Sequence, residues 1–441
     1  MNARSEADKY HRSRELRARM RRVVPGGAHT YAKGDDQYPE LSPGFIVRGS
    51  GCHVWDVDGN EFIEYGMGLR AVTLGHAYAP VVEAVRDSLA LGTNFTRPSV
   101  QELECAEAFL EIIQGAEMVK FTKDGSTATS AAVKLARKHT GRDLVALCAE
   151  HPFFSYDDWF IATTTMDGGI PTAAHGETLR FPYNDLTGLR ALFDVHPGKI
   201  AAVILEPSRT DEPVPGFLHG LKTLCHENGS VLIFDEMITG FRWNLGGAQH
   251  EYGVVPDLST FGKALANGFA LSALCGRREI MSLGSRERPG DDVFLLSTTH
   301  GAETPALAAA IKTMEIFRSE PVVEHLHRQG ERLRAGMCAV AQRHGLAEYF
   351  QVFGRACNLL FGTRGPDLRP SQAYRTLFLQ EMIRRGVIAP SLVVSYSHSD
   401  DDIERTVEAV DGALTIYARA LSDGVDKHLV GPPSTIVFDR R

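Results

Sequence analysis

The sequence predicts an α/β fold in which a large unit, built on a mostly parallel sheet, is accompanied by a smaller α+β unit. Residues 100–320 alternate apolar runs with helical periods, as expected of parallel strands covered by helices on both faces. Short strands and amphipathic helices at both chain ends indicate that the smaller unit draws on both of them. We therefore expect residues 1–75 and 321–441 to form the smaller unit around a large unit of residues 76–320.

Composition narrows the class of protein. The chain of 441 residues is 43% hydrophobic and carries a net charge of −8, which argues against a nucleic-acid partner. No apolar run is long enough to span a membrane. Seven cysteines are scattered without a CxxC pair, a usage typical of buried thiols in a reducing compartment rather than of disulfides or a zinc site. We expect a cytoplasmic protein.

The N-terminal part predicts a helix, a turn-rich segment and a small sheet. Arginines crowd residues 12–22, but Glu6, Asp8 and Glu15 interrupt them, so a solvated helix is favoured over a transit peptide. Pro-Gly-Gly punctuation marks residues 23–34 as a loop, and residues 45–65 are typical of a β-meander. A glycine-rich loop containing Arg70 then leads into a helix at about residues 80–91.

The remaining elements follow from apolar runs and their periods. Expected strands are residues 119–121, 144–148, 201–205, 230–234, 358–361 and 387–389. Expected helices after residue 100 are residues 128–138, 322–344, 371–385 and 400–421.

Two residues at strand ends suggest catalysis. The run of residues 231–234 ends in Asp235 and Glu236, at the carboxyl end where parallel sheets place their ligands. Lys263 follows another short apolar run among small residues, a poor setting for an ordinary solvated lysine. A buried acid and a lysine on neighbouring strand ends suit pyridoxal 5′-phosphate, because the acid keeps the ring nitrogen protonated and the amine binds the aldehyde. A helix cap, or a metal site, remains an alternative for the acidic pair.

A phosphate site is indicated at the turn of residues 122–127. Gly125 lets the backbone approach a ligand, Ser126 and Thr127 offer hydroxyls, and a helix N-terminus follows with free amides. No Gly-Lys-Ser/Thr follows, so this is not a Walker loop. Serine and threonine at a helix start are also common as plain caps.

Longer motifs resemble a known family. They are VVPGGAH, VWDVDGNEFIEY, LGHAYAPVVEAV, GSTATSAAVKLARKHTGR, ETLRFPYND, AAVILEPS, VLIFDEMITGFR, LGGAQHEYGVVPDLSTFGKALANGF, CGRREIM and IAPS. In this order the chain resembles the class III aminotransferases of the fold-type I pyridoxal phosphate superfamily, and among them glutamate-1-semialdehyde 2,1-aminomutase and its relatives.

The resemblance implies roles for individual residues. Lys263 would hold the cofactor as a Schiff base, and Asp235 would pair with the pyridine nitrogen. Gly125 and Ser126 would bind the phosphate. Three further matches are implied to lie at the cofactor: Phe153 stacking on its ring, Glu206 at a strand end, and Thr299 reaching the phosphate of a neighbouring subunit. A homodimer with shared active sites is the assembly that the resemblance implies.

Departures from the family pattern concern the substrate. The aminomutase carries an arginine where this chain has Lys33, and a Ser-Trp-Gly-Pro loop where this chain has residues 68–71, including Arg70. Lysine does not grip a carboxylate bidentately as arginine does. Asp124 also stands where a serine is usual. The expected substrate wall is rich in hydrogen-bonding groups: His29, Tyr31, Lys33, Arg70 and His300.

The sequence therefore predicts an aminotransferase that moves an amino group from a donor such as glutamate or glutamine to an aldehyde or ketone. A hydroxylated acceptor, such as an amino-sugar or aminoglycoside-like intermediate, suits the polar wall. The alternatives are a true aminomutase acting on glutamate 1-semialdehyde, and a catalytically inactive pyridoxal phosphate-binding protein. A metal-dependent enzyme is disfavoured because no histidine cluster accompanies Asp235 and Glu236.

Overall fold

A computed structural model describes residues 9–151, 153–286 and 296–435. The chain divides into two compact units. The large unit comprises residues 79–323, and the small unit comprises the chain before residue 79 together with the segment that begins at residue 324.

The strands are, in chain order, β1 (Ile46–Ser50), β2 (His53–Asp56), β3 (Glu61–Glu64), β4 (Met118–Thr122), β5 (Leu144–Cys148), β6 (Thr178–Phe181), β7 (Ile200–Leu205), β8 (Val231–Asp235), β9 (Leu258–Phe261), β10 (Ser272–Gly276), β11 (Phe350–Phe353), β12 (Leu360–Thr363) and β13 (Val387–Ile388).

The helices are α1 (His11–Val23), α2 (Met67–Arg70), α3 (Ala79–Leu91), α4 (Val100–Ile112), α5 (Gly125–Thr140), α6 (Asp158–Ile161), α7 (Leu186–Val195), α8 (Phe217–Glu227), α9 (Ala248–Glu251), α10 (Arg278–Met281), α11 (Thr304–Ser319), α12 (Val322–Arg343), α13 (Gln372–Arg384) and α14 (Asp400–Asp423).

The large unit is organised around a seven-stranded sheet of order β4-β10-β9-β8-β7-β5-β6. Within it, β10 runs antiparallel to both of its neighbours, and the other pairs are parallel. Every residue of β7 and β8 is buried. Burial on both faces explains why these strands have continuous apolar sequences instead of alternating ones. The prediction of an α/β fold with a mostly parallel sheet is confirmed.

Helix α5 begins one turn earlier than the sequence suggested. Asp124 is its N-cap, and a carboxylate oxygen accepts a hydrogen bond from the amide of Thr127 at 2.8 Å. Gly141, with a left-handed φ of 65°, ends the helix. The expected turn therefore forms the first helical turn, because an aspartate cap offsets the weak helix propensity of the glycine, serine and threonine that follow it.

The small unit joins the two ends of the chain in one sheet. Its strand order is β1-β2-β3-β13, and β13 pairs in parallel with β3. Strands β11 and β12 form a separate antiparallel pair. Strand β12 begins two residues later than predicted, because residues 356–358 form a 3₁₀ turn. Apolar side chains from α12, α13 and α14 form the core of this unit together with residues of the sheet.

Asp402, in the first turn of α14, ties this helix to the small sheet. Its carboxylate accepts bonds from His53 Nε2 at 2.8 Å and from the hydroxyl of Ser399 at 2.7 Å, and the thiol of Cys52 lies 3.3 Å away. Burial raises the pKa of Asp402, but bonds from Ser399, Cys52 and His53 outweigh burial and lower the pKa to about 2. The ligand-type atoms of Cys52, His53 and Asp402 lie within 4.8 Å of one another, which cysteine spacing alone did not predict.

Most of the cysteines are buried thiols. None of the seven cysteines is in a disulfide and six of them are buried, as the sequence indicated. Within the described ranges, the length and apolarity that a membrane crossing requires do not occur together in any helix.

Candidate active site

Asp235 lies at the carboxyl end of β8, at the centre of the large sheet. It is 3% exposed, and its Oδ1 atom accepts hydrogen bonds from the amide of Met237 and the hydroxyl of Thr260, both at 3.0 Å. Both bonds use the same oxygen. The described residues give Oδ2 no donor. A carboxylate on a residue this buried is costly unless a ligand pairs with its second oxygen.

Burial raises the pKa of Asp235, while the nearby charge of Lys263 lowers it. The bonds from Met237 and Thr260 also lower it. A cationic partner at Oδ2 would favour the charged carboxylate further.

Lys263 follows β9, the strand next to β8, as predicted from its apolar run. It has a left-handed φ of 47° and begins the 3₁₀ turn Lys263–Ala266. This conformation is uncommon for a residue with a side chain and costs on the order of 1 kcal/mol or more. Asp235 pairs in register with Thr260, so the acid and the lysine turn lie on neighbouring strand ends.

Met237 separates the lysine turn from the start of α5. A Cβ atom added to Gly262 would lie 2.7 Å from the sulfur of Met237 and 2.6 Å from the hydroxyl of Ser272. A Cβ added to Gly125 would lie 3.1 Å from the same sulfur. The Asp235 strand end, the lysine turn and the helix N-terminus are thus packed together around one buried thioether. Sequence reasoning missed this residue, since a methionine in a buried run usually indicates core packing alone.

The N-terminus of α5 presents free backbone amides. The amides of Gly125 and Ser126 have no acceptor in the described part of the chain, as expected for the first positions of a helix. The amide and the hydroxyl of Thr127 both donate to Asp124. Of the three residues predicted at the phosphate, Thr127 is therefore engaged in capping the helix.

Hydroxyl groups on one face of α5 fix the loop that carries Phe153. The hydroxyl of Thr129 donates to the carbonyl of Phe154 at 2.8 Å, and the hydroxyls of Ser130 and Ser155 lie 2.8 Å apart. Phe153 is 40% exposed and packs edge-on against Phe160. Its aromatic ring is thus held on a loop anchored to the helix with free amides.

Glu206 follows β7 and lies beside Asp235, because Leu205 pairs in register with Phe234. Its carboxylate forms an ion pair with Arg209 Nε at 3.0 Å. The amide of Glu206 donates to His151 Nδ1 at 3.0 Å, which leaves that nitrogen unprotonated. The sequence did not single out Arg209, since one arginine in a polar loop carries no distinguishing pattern.

Glu236, the second acid after β8, has a structural role. Its carboxylate accepts the amides of Ala248 at 2.8 Å and Gln249 at 2.7 Å, as well as the hydroxyl of Thr239. The first two amides belong to the start of α9. The helix-cap alternative that the sequence left open therefore applies to Glu236 and not to Asp235.

The expected substrate residues fall in different units. Thr299 and His300 are exposed in the large unit, where the carbonyl of Thr299 accepts a bond from Asn94 and His300 pairs with Glu303 at 2.9 Å. The others belong to the small unit. These are His29, Tyr31, Lys33 and Arg70.

Within the small unit, Lys33 lines a cavity of about 370 Å³. Arg70 donates from Nε to the side chain of Asn358 at 2.8 Å. His29 and Tyr31 are exposed. Lys33 has no ion pair with any described residue. It therefore brings an unneutralised positive charge to this cavity.

Comparison with known proteins identifies the family. The family model described as Aminotransferase class-III matches residues 36–357. The chain belongs to the class III aminotransferases.

Several solved structures resemble most of the chain. The FumI protein of Sphingopyxis sp. MTA144, in its PLP internal aldimine form, is 31% identical with a TM-score of 0.85 and covers 93% of this chain and 98% of its own. An omega-transaminase from Sphaerobacter thermophilus is 28% identical with a TM-score of 0.82, covering 92% and 98%. A glutamate-1-semialdehyde aminomutase from Pseudomonas aeruginosa, 21% identical with a TM-score of 0.80 over 93% and 95%, shares the fold.

This class III aminotransferase uses pyridoxal 5′-phosphate, and its large unit fits that cofactor. Asp235, a buried residue, offers an oxygen that no described residue donates to, Lys263 offers an amine on the next strand end, and α5 offers two amides without an acceptor among the described residues. Space beside Gly125 and Gly262 is filled by Met237, so larger residues there would displace the sulfur. When bound, the cofactor withdraws electrons from the carbon that carries the amino group.

Replacing Asp235 by asparagine should slow both halves of the amino transfer by about 100-fold or more, since a neutral amide cannot hold the ring nitrogen protonated. The rates are measured by stopped-flow absorbance with amino donor and with keto acid. Thr260→Val, which removes only a donor to Oδ1, serves as the milder control and should cost about tenfold. Near-normal rates for Asp235→Asn would refute the assignment.

Replacing Glu236 by glutamine should destabilise the fold by about 2 kcal/mol, because an amide NH₂ would face a backbone N–H at the start of α9. Burial raises the pKa of Glu236 to about 7. An acid whose pKa is higher in the folded state contributes its full stabilisation of the fold at pH values below its unfolded pKa, near 4.5. This contribution is lost as the pH rises through its folded pKa, about 7.

The advantage of the parent protein over Glu236→Gln should therefore shrink between about pH 5 and about pH 8. Urea unfolding of both proteins at the two pH values measures it. A difference that stays constant or grows with pH would contradict this account of the acid.

Proposed function

We propose that this class III aminotransferase moves an amino group from glutamate or glutamine to an aldehyde or ketone that carries hydroxyl groups, such as a sugar or aminoglycoside-like intermediate. The observation that supports amino transfer most directly is the unpaired Oδ2 of buried Asp235 beside the Lys263 turn. An inactive binding protein would have no need of both groups.

Asp235 and Lys263 divide the chemistry. Asp235 would keep the pyridine nitrogen of the bound cofactor protonated. Lys263 would hold the cofactor through its amine, and the same amine would serve as the base that takes up and returns the Cα proton of the substrate. The strained backbone of Lys263 keeps its side chain at the strand end.

The remaining cofactor contacts come from the same unit. The amides of Gly125 and Ser126, with the Ser126 hydroxyl, bind the phosphate in this proposal. Thr127 supports them by fixing the first turn of α5.

Phe153 stacks on the ring through its π-face and lacks the hydroxyl that a tyrosine would bring. Glu206 lies beside Asp235 and holds the Arg209 guanidinium at this edge of the sheet.

The Lys33 cavity supports a hydroxylated acceptor. Within its largely apolar walls lie an ion pair, Arg17 with Asp35, and a hydrogen-bonded pair, His76 with Glu64, each at 2.9 Å. Such pairs offer both donors and acceptors to hydroxyl groups, and a volume of about 370 Å³ suits a ligand of monosaccharide size. Lys33 adds a cation that has no ion pair with any described residue. His29, Tyr31 and Arg70 of the small unit and His300 of the large unit are further substrate contacts in this proposal.

A homodimer completes the proposal, with Thr299 of each protomer reaching the phosphate bound by the other. Support comes from exposed apolar side chains on one stretch of the large unit: Leu89, Leu91, Phe95, Val100 and Leu103. Asn94, within this stretch, bonds the carbonyl of Thr299 at 3.0 Å. The apolar stretch and Thr299 therefore share one surface, as a partner-facing residue requires.

Changing Leu103 to lysine, at a side chain 60% exposed, should weaken self-association because a charge would be buried against the second copy. Analytical ultracentrifugation over a dilution series measures the dissociation constant, which should rise at least about tenfold. Val195→Lys, at an apolar side chain 70% exposed outside the stretch, is the matched control. A parent protein that sediments as a monomer would refute the dimer.

The acceptor and donor are tested by titrating the cofactor-loaded protein with amines and following its visible absorbance. The panel contains glutamate, glutamine, alanine, 4,5-diaminovalerate and several amino sugars. We expect conversion to the amine form with glutamate or glutamine and with at least one amino sugar. Conversion by diaminovalerate alone would identify an aminomutase and overturn the proposal.

A Lys33→Ala variant sharpens this test. It should raise the amino-sugar concentration needed for half-conversion by about fivefold and leave the maximal conversion rate unchanged, since Lys33 binds substrate without taking part in proton transfer.

A further inference from the structure

An aspartate stands directly before the phosphate-binding turn. Asp124 Oδ1 accepts the amide of Thr127 at 2.8 Å and its hydroxyl at 3.1 Å, and Oδ2 lies 3.1 Å from the same hydroxyl. The carboxylate is therefore bonded to one amide of the first turn of α5 and lies beside the free amides of Gly125 and Ser126. A bound anion would approach the same amides.

Asp124 forms no ion pair with any residue in the described part of the chain. Lys123, the preceding residue, forms an ion pair with Glu303, which also accepts a bond from His300. That bond with Lys123 lowers the pKa of Glu303, so its carboxylate stays charged. The positive charge of Lys123 is thus offset by Glu303, and the Asp124 carboxylate remains as a net negative charge at the helix start.

We infer that Asp124 weakens the hold of α5 on the cofactor phosphate, so that the amine form of the cofactor leaves the protein more readily than it would beside a neutral cap. The inference rests on the proposed placement of the phosphate at Gly125 and Ser126. Asp124 is a positioning residue here: it caps the helix whose amides bind the phosphate, and it repels the anion that they bind.

The amine form is the state in which this repulsion acts. The aldehyde form is joined covalently to Lys263, which keeps it bound whatever the charge beside its phosphate. The amine form has no such bond and depends on the phosphate, the ring stacking and Asp235. Because a phosphate monoester carries about −1.5 to −2 charges at neutral pH, a carboxylate beside it acts on affinity directly.

This arrangement links cofactor exchange to turnover. After each donor half-reaction the amine form either meets an acceptor or dissociates. A protein with Asp124 should therefore lose cofactor when donor is present without acceptor, and should need free pyridoxal 5′-phosphate in solution to remain active at high dilution.

The test compares Asp124→Asn and Asp124→Gly with the parent protein. Both replacements are accepted helix caps without charge, and glycine has no side chain that could itself bond the phosphate. Apoprotein is titrated with pyridoxamine 5′-phosphate and, as the matched ligand, with pyridoxamine, which lacks the phosphate. Bound ligand is followed by fluorescence, and the folding of each variant by thermal unfolding.

Both variants should bind pyridoxamine 5′-phosphate about fivefold more tightly than the parent, with no change for pyridoxamine. Release of the amine form from holoenzyme treated with donor should slow by a similar factor. Equal or weaker binding of pyridoxamine 5′-phosphate by the two variants would overturn the inference. So would tighter binding by Asp124→Asn alone, because a new hydrogen bond would then explain the gain.

Ser126→Ala separates this inference from the phosphate placement on which it rests. If Ser126→Ala weakens pyridoxamine 5′-phosphate binding while neither Asp124 variant tightens it, the phosphate is placed correctly and the inference about Asp124 is wrong. If Ser126→Ala has no effect, the placement itself fails.

Discussion

A carboxylate buried at the end of a parallel strand is the constraint around which the large unit is arranged. Asp235 receives both of its protein hydrogen bonds on Oδ1, and burial works against its charge. An acid so placed is stable as an anion only when a cation or a protonated ligand faces its other oxygen. The neighbouring strand β9 carries the donor Thr260, and the turn directly after it carries the positive charge of Lys263, so the sheet order itself determines the electrostatics.

Three consecutive residues after the apolar part of β8 perform three separate tasks. Asp235 provides charge at the site, Glu236 caps α9, and Met237 fills the space between two glycines that carry the lysine turn and the helix start. Because Gly125 and Gly262 contact the same sulfur, a shift of Met237 would move both. The amide of Met237 also bonds Asp235, which couples this packing to the orientation of the acid.

The sequence predicted β5, β7 and β8 because their burial leaves uninterrupted apolar runs, but it did not name β6 or β10 as strands. It predicted Asp235 and Lys263 because polar residues that end such runs are rare. It did not place the start of α5, since the helix propensities of residues 125–127 are low and only the side-chain orientation of Asp124 shows that this residue caps the helix. Thr260, Met237 and Arg209 were missed because their roles come from neighbours distant in sequence. The strands of the small unit were harder to predict, because β12 and β13 are short and depend on partners elsewhere in the chain.

The pairing of β13 with β3 has a consequence for how the chain matures. The ribosome completes β3 long before residues 387–388 exist, and at typical elongation rates the interval is on the order of tens of seconds. The whole of the large unit is synthesised in that interval. During translation the nascent chain therefore carries an open sheet edge at β3, exposed to wrong partners, and the small unit can close only after the large unit has emerged.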